Sequence, residues 1–207
     1  MSKVQVDTID TRSGTSTMQI GSTNTSTINI GVSGDTVNIP SGVTIANAGT
    51  ATGFGGTNIN LFKAYRNGGQ TLNHNTSTKV QLNAESFDVN SKFDSTTNYR
   101  YTPASVGYYH LSGQLSLDAN DSNMLRHFKV FCYKNGSELV RTTFRVADNN
   151  FDLMNEVYAT FSVIDYSSST SDYYEMYAYQ NNNWDANNCD ITGAVNYTYF
   201  QGYKLIT

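Results

Sequence analysis

Apolar residues return at every second position in burst after burst along this chain: Val4/Val6, Met18/Ile20, Ile28/Ile30, Val37/Ile39 and Val43/Ile45 near the start, then longer, tyrosine-rich versions from Leu61 onward. Alternation at period two places one set of side chains on a single face of a β-strand. No helical period appears in the longer segment, so the chain is expected to be all-β.

Within the first bursts a ten-residue echo is visible, Ser16-Thr17-Met18-Gln19-Ile20-Gly21 returning as Ser26-Thr27-Ile28-Asn29-Ile30-Gly31. Ser-Gly, Ser-Thr-Asn-Thr and Ser-Gly-Asp separate the bursts, turn chemistry that lets a strand reverse or step every nine or ten residues. One such repeat offers a single narrow apolar edge, which copies must share to bury. Residues 1–45 are therefore expected to form a short repetitive β-stalk. The competing reading is low-complexity disorder, because Ser/Thr/Gly-rich segments often fail to offset their ordering entropy; the regular return of aliphatics favours the stalk. Gly49, Gly53, Gly55 and Gly56 mark residues 46–57 as a linker, and residues 58–207 as the head.

In the head, strands are expected near 61–66, 79–82, 86–89, 98–102, 107–117, 126–133, 138–146, 156–165, 173–180 and 196–206. Ten strands at this spacing make a sandwich or jelly roll. Asn135-Gly136 is the pair that a tight primed hairpin turn requires. Tyr173, Tyr177 and Tyr179 share one strand face and Tyr174 and Met176 the other, so both faces call for burial, one in the core and one against a partner subunit.

Charged residues make up only 14% of the chain, against a usual ~25%, and the net charge is −4 with no run of Lys or Arg. Nucleic acid is therefore not an expected partner. Residues 1–7 lack the features of a signal peptide and no apolar run approaches about 18 residues, so synthesis in a cytosol without membrane insertion is expected. Cys132 lies in an apolar run and Cys189 in an Asn-rich loop; both are expected to be unpaired thiols.

Several signals come in a familiar order. Phe62-Lys63-Ala64, then Lys92-Phe93-Asp94 through Tyr101-Thr102-Pro103-Ala104-Ser105-Val106-Gly107-Tyr108-Tyr109-His110-Leu111 (a short strand, a Pro-containing turn, then Gly-Tyr-Tyr), then Val130 to Gly136, then Ala159 to Tyr166 followed by Asp172 to Met176, and finally Thr198 to Ile206 resemble the globular head of complement subcomponent 1q, which shares the tumour-necrosis-factor-like jelly roll. The Ser168 to Asp172 turn departs from that family's Gly-Asp, and no collagen triplets precede the head. The resemblance implies a threefold trimer with chain termini at its base and binding loops at its apex. The N-terminal Lys-Val-Gln-Val-Asp-Thr-Ile start, with Ser-Gly-Asp-Thr-Val-Asn-Ile-Pro-Ser-Gly, also resembles short structural proteins of marine bacteriophages.

If successive head strands run antiparallel, three Asn/Asp-rich loops share the apex, and the Asn135-Gly136 and Ser167–Ser171 turns share the base. The candidate ligand-binding residues there are Asp118, Asn120, Asp121, Asn149, Asn150, Asn182, Asn183, Trp184, Asp185 and Asn187. Asn and Asp offer donors and acceptors to sugar hydroxyls, and an indole can stack on a sugar face. The plain alternative is that turns favour Asn and Asp and that Trp184 packs within the head. Asp118, Asn120 and Asp121 also supply oxygens of the kind Ca²⁺ takes, but Ser122 and Asn123 stand where an EF-hand needs its glycine and Lys129 where it needs glutamate. No metal and no cofactor is expected. His74, His110 and His127 lack metal spacing, and Asp148, Asp152 and Glu156 are the nearest thing to a glycosidase pair, so the chain is not expected to be an enzyme.

The expectation is thus a trimeric bacteriophage tail or head fibre, located in the virion, attached to other virion proteins through residues 1–45 and reading a host surface glycan or receptor with its head. A capsid decoration protein and a polysaccharide-cleaving tailspike are the alternatives.

Overall fold

The computed structural model describes residues 20, 23–24, 26–46, 58–119, 125–145, 155–182 and 189–205. The chain divides into two units, Met1–Phe54 and Gly55–Thr207. The linker expected over 46–57 lies outside the described residues after Ala46.

Thirteen strands and no helix occur among the described residues, all of the strands in the second unit: β1 (Leu61–Tyr65), β2 (Gln70–Leu72), β3 (Thr78–Lys79), β4 (Ala84–Asp88), β5 (Phe93–Asp94), β6 (Arg100–Tyr101), β7 (Gly107–Asp118), β8 (Leu125–Lys134), β9 (Ser137–Arg145), β10 (Glu156–Ser167), β11 (Tyr174–Asn182), β12 (Cys189–Ile191) and β13 (Tyr199–Lys204). Sheet A holds seven of them. It runs β2-β12-β7-β13-β1-β4, with β10 also paired to β7. Sheet B runs β5-β6-β11-β8-β9, with β3 paired to β11. All pairs are antiparallel, and the long β7–β10 ladder keeps register from Asp118↔Glu156 to Gly107↔Ser167.

The alternation read in the sequence becomes the inside and outside of this sandwich. Sheet A sends Phe62, Tyr109, Leu111, Leu115, Phe161 and Phe200 inward, and sheet B sends Tyr101, Phe128, Val130, Tyr174 and Met176 to meet them. Phe62 is the hub, stacked on Tyr101 at 4.1 Å between centroids and edge-on to Phe200 at 5.1 Å. Such aromatic pairs add ~0.5–1.5 kcal/mol each beyond the area they bury. Asn135 (φ 52°) and Gly136 (φ 78°) form the expected primed turn between β8 and β9.

Two expectations are corrected. Cys189 lies not in a loop but on β12, fully buried, because its neighbours Asp190 and Ile191 pair with β7; neither it nor buried Cys132 is bridged. The short β2 and β12 were not foreseen. The stalk was expected only between copies; within the single chain Ile28/Ile30, Val37/Ile39 and Val43/Ile45 pair with no strand among the described residues, and Val4, Val6 and Met18 lie outside them. Within 26–46 the hydrogen bonds close local turns instead. Asp35 N donates to Val32 O, Val32 N donates to the Asp35 carboxylate, and Val43 N donates to Pro40 O. Gly34 (φ 98°) and Gly42 (φ 86°) supply the left-handed positions these turns need. These aliphatics are open within residues 26–46: Ile30 is 69% and Val32 78% exposed.

Candidate functional site

The registers gather the strand ends that carry the three Asn/Asp-rich loops. Asp118 lies opposite Glu156 and Asp190, Leu125 opposite Asn182, and His127 opposite Arg145. The connections after β7, β9 and β11 therefore leave from one end of the sandwich, and Ala119 N donates to Asn155 O where two of them begin. Of the candidate residues, Asp118 ends β7 and Asn182 ends β11. Asn120, Asp121, Asn149, Asn150, Asn183, Trp184, Asp185 and Asn187 lie outside the described residues, as do Asp148 and Asp152.

The opposite end is tied down by one polar cluster. Asn135 Nδ2 donates to Asp172, Asp172 accepts from Ser168 N, and Lys134 Nζ reaches Asp165 at 2.7 Å, where Tyr174 Oη also donates. The Asn135 amide, aided by Ser168, Ser169 and Lys134, holds the Asp172 carboxyl below its ordinary range against its own partial burial. Leu61, where the chain enters this unit, sits at that same end opposite Tyr203.

The two outer faces differ. On sheet A the outward row of β10 is Tyr158, Thr160, Ser162, Ile164 and Tyr166, and β7 and β13 add Tyr108, His110 and Tyr203. Tyr108 and Tyr166 meet at 5.0 Å, His110 and Tyr203 at 5.2 Å, and His110 Nε2 is 2.9 Å from Ser162 Oγ. These rings remain bare on their outer side: Tyr158 is 50%, Tyr166 48% and Ile164 59% exposed. A concavity of about 320 Å³ lies beside them, between Phe87, Leu61, His110 and Tyr203.

On sheet B the outward side chains stand in registered rows across β11, β8 and β9: Asn181, His127 and Arg145 nearest the loops, then Tyr179, Lys129 and Thr143, then Tyr177, Phe131 and Arg141, then Glu175, Tyr133 and Glu138. Lys79 and Arg100 extend the last two rows from β3 and β6. The rings are clothed from within the chain. Tyr133 stacks on Tyr177 at 4.3 Å, Lys129 Nζ lies 4.6 Å over Tyr179, and Arg100 4.4 Å over Tyr173. Each such cation contact contributes ~0.5–1 kcal/mol at a half-exposed site. The second face of the 173–179 segment thus finds its cover at home, and the uncovered tyrosines are those of sheet A. The signal that marks them is the run Val157 to Tyr166, where apolar residues occupy both alternating sets toward its end.

Among the described residues no group of three or more His, Cys, Asp or Glu is placed to hold a metal. His74 follows β2, His110 sits on β7 and His127 on β8, each beside a different partner.

The order of strands in the two sheets can be compared with solved structures. Eiger TNF from S. frugiperda superimposes with a TM-score of 0.54 at 10% identity, over 72% of this chain and 94% of that one. Murine APRIL at pH 5.0 gives 0.51 at 9% identity, over 70% and 98%. The head is a TNF-like jelly roll. At one residue in ten the likeness is one of fold. No family model matches the chain, and no curated protein matches it.

Proposed function

We propose that this chain is a homotrimeric bacteriophage appendage, a tail or head fibre or spike, that binds a host surface glycan or protein during adsorption. The observation that carries the trimer is the outer face of sheet A: tyrosine-lined and bare along β10, of a kind that solvent-facing sheets rarely keep and that subunit interfaces use. The resemblance to trimeric jelly-roll heads and the uncovered aliphatics of residues 26–46, which only other copies can bury, support the same stoichiometry. Three chains would set nine Asn/Asp-rich loops at one end, and such repetition multiplies weak single-site affinity.

Residues 1–45 would join the shaft to other virion proteins. The test is a particle whose copy of this chain lacks residues 58–207. Intact particles that no longer adsorb support the assignment. Fragile particles that adsorb normally would make the chain a capsid decoration instead, and release of reducing sugar from host glycans by the purified chain would make it a tailspike enzyme.

A further inference from the structure

The outer face of sheet B carries five cations, Lys79, Arg100, Lys129, Arg141 and Arg145, against three carboxylates, Asp94, Glu138 and Glu175. All three are engaged: Glu175 lies 2.6 Å from Lys79, Glu138 3.5 Å from Arg141, and Asp94 stands across from Arg100 while accepting from the amides of Thr96, Thr97 and Asn98. Lys129 and Arg145 are left without a carboxylate partner among the described residues, in a chain whose net charge is −4. The excess therefore belongs to this face and not to the protein at large. It is concentrated toward the loop-bearing end, where His127 is only 9% exposed and its Nε2 has no hydrogen-bond partner among the described residues. Burial first, then Arg145, Lys129 and Arg126, push the His127 pKa down, which reports the positive field there.

Between these cations stand tyrosines, not aliphatics. We infer that the outer face of sheet B binds an acidic polysaccharide, with Lys129 and Arg145 meeting its anionic groups and Tyr177 and Tyr179 flanking its sugar rings. Four registered rows, each two residues deep, extend this surface for roughly 20 Å along the strands. Charge complementarity selects the acid, and half-wet aromatic side chains suit a ring with one apolar and one hydroxylated aspect. Two unmatched cations on an open sheet fall short of the continuous basic groove that tracks a single-stranded nucleic acid. The inference rests on the head being the part that meets the host, and it names the class of glycan.

The test immobilises the full chain and measures binding of alginate, dextran sulfate, neutral dextran and a single-stranded oligonucleotide, for wild type and for the Lys129→Gln/Arg145→Gln double variant. Alginate or dextran sulfate should bind, dextran should not, and high salt should weaken the complex. Preference between the first two identifies carboxylate or sulfate as the anion. The double variant, with an unchanged melting curve, should bind about tenfold more weakly. Equal binding of neutral dextran, an unaffected double variant, or an oligonucleotide that binds more tightly than either acidic polysaccharide overturns the inference. Competition with particle adsorption separates the two proposals. If wild type and double variant block adsorption equally well, host recognition stands and the acidic-glycan face falls; if wild type binds alginate yet blocks nothing, the glycan face stands and host recognition falls.

Discussion

Replacing Ile164 with glutamate should dissolve the trimer and leave the head folded. Ile164 stands on the outer row of β10, opposite His110, with 59% of its surface in solvent. In a single chain the change touches only an exposed position, where substitutions move stability by about 0.5 kcal/mol or less. In an assembly that covers the face, burying the remaining three-fifths of an isoleucine contributes ~1–2 kcal/mol per chain. Summed over three chains this is ~3–6 kcal/mol, a change of about 10² to 10⁴ in the dissociation constant. Three carboxylates enclosed in the interface add a desolvation penalty of several kcal/mol each. Light scattering after size exclusion, run over a dilution series, reads the stoichiometry, and circular dichroism melts read the fold. A monomer with wild-type strand content is the expected result. An Ile164→Glu chain that stays trimeric at the same dilutions would refute the assignment of this face as the seam.

Other consequences follow from the core and the turns. Phe62→Ala removes the ring that Tyr101, Phe93 and Phe200 pack around and should cost about 3–5 kcal/mol in urea unfolding. Asp94 accepts hydrogen bonds from the backbone amides of Thr96, Thr97 and Asn98 and from the Asn98 side chain, and these, Thr97 first, hold its carboxyl well below the ordinary 3.8 despite partial burial. Because the folded value is depressed, the stabilisation is present above about pH 4 and lost as pH falls below it. The deficit of Asp94→Ala in urea melts, ~1–3 kcal/mol at pH 7, should therefore narrow below pH 4. Burial pushes the Cys132 thiol far above its usual range and Cys189 is equally enclosed, so a thiol reagent should label neither in the native chain and both after denaturation.

The long strands were legible because their alternation persists: β7, β8, β10 and β11 begin or end within two residues of the expected bounds. Asn135-Gly136 was legible because its chemistry admits few conformations. Gln70–Leu72 and Cys189–Ile191 were not, since three residues display no period and their pairing is decided by distant neighbours. The surfaces were harder to read. Alternation showed that the 173–179 segment has two aromatic faces, but not that Arg100, Lys129 and Tyr133 would be brought against the outer one. Nor does any run of basic residues betray the cations of sheet B, which arrive singly from β3, β6, β8 and β9. The uncovered face of sheet A is likewise assembled from β7, β10 and β13. Of the loop residues proposed as ligands, only the strand-bound Asp118 and Asn182 lie within the described residues.

The measurement that bears most directly on the account is the solution mass of the full chain by sedimentation equilibrium from high to low concentration. Three times the chain mass, with dissociation only on dilution, is the predicted result. A chain that remains monomeric at the highest concentration would leave the tyrosines of sheet A and the aliphatics of residues 26–46 uncovered, and would contradict it.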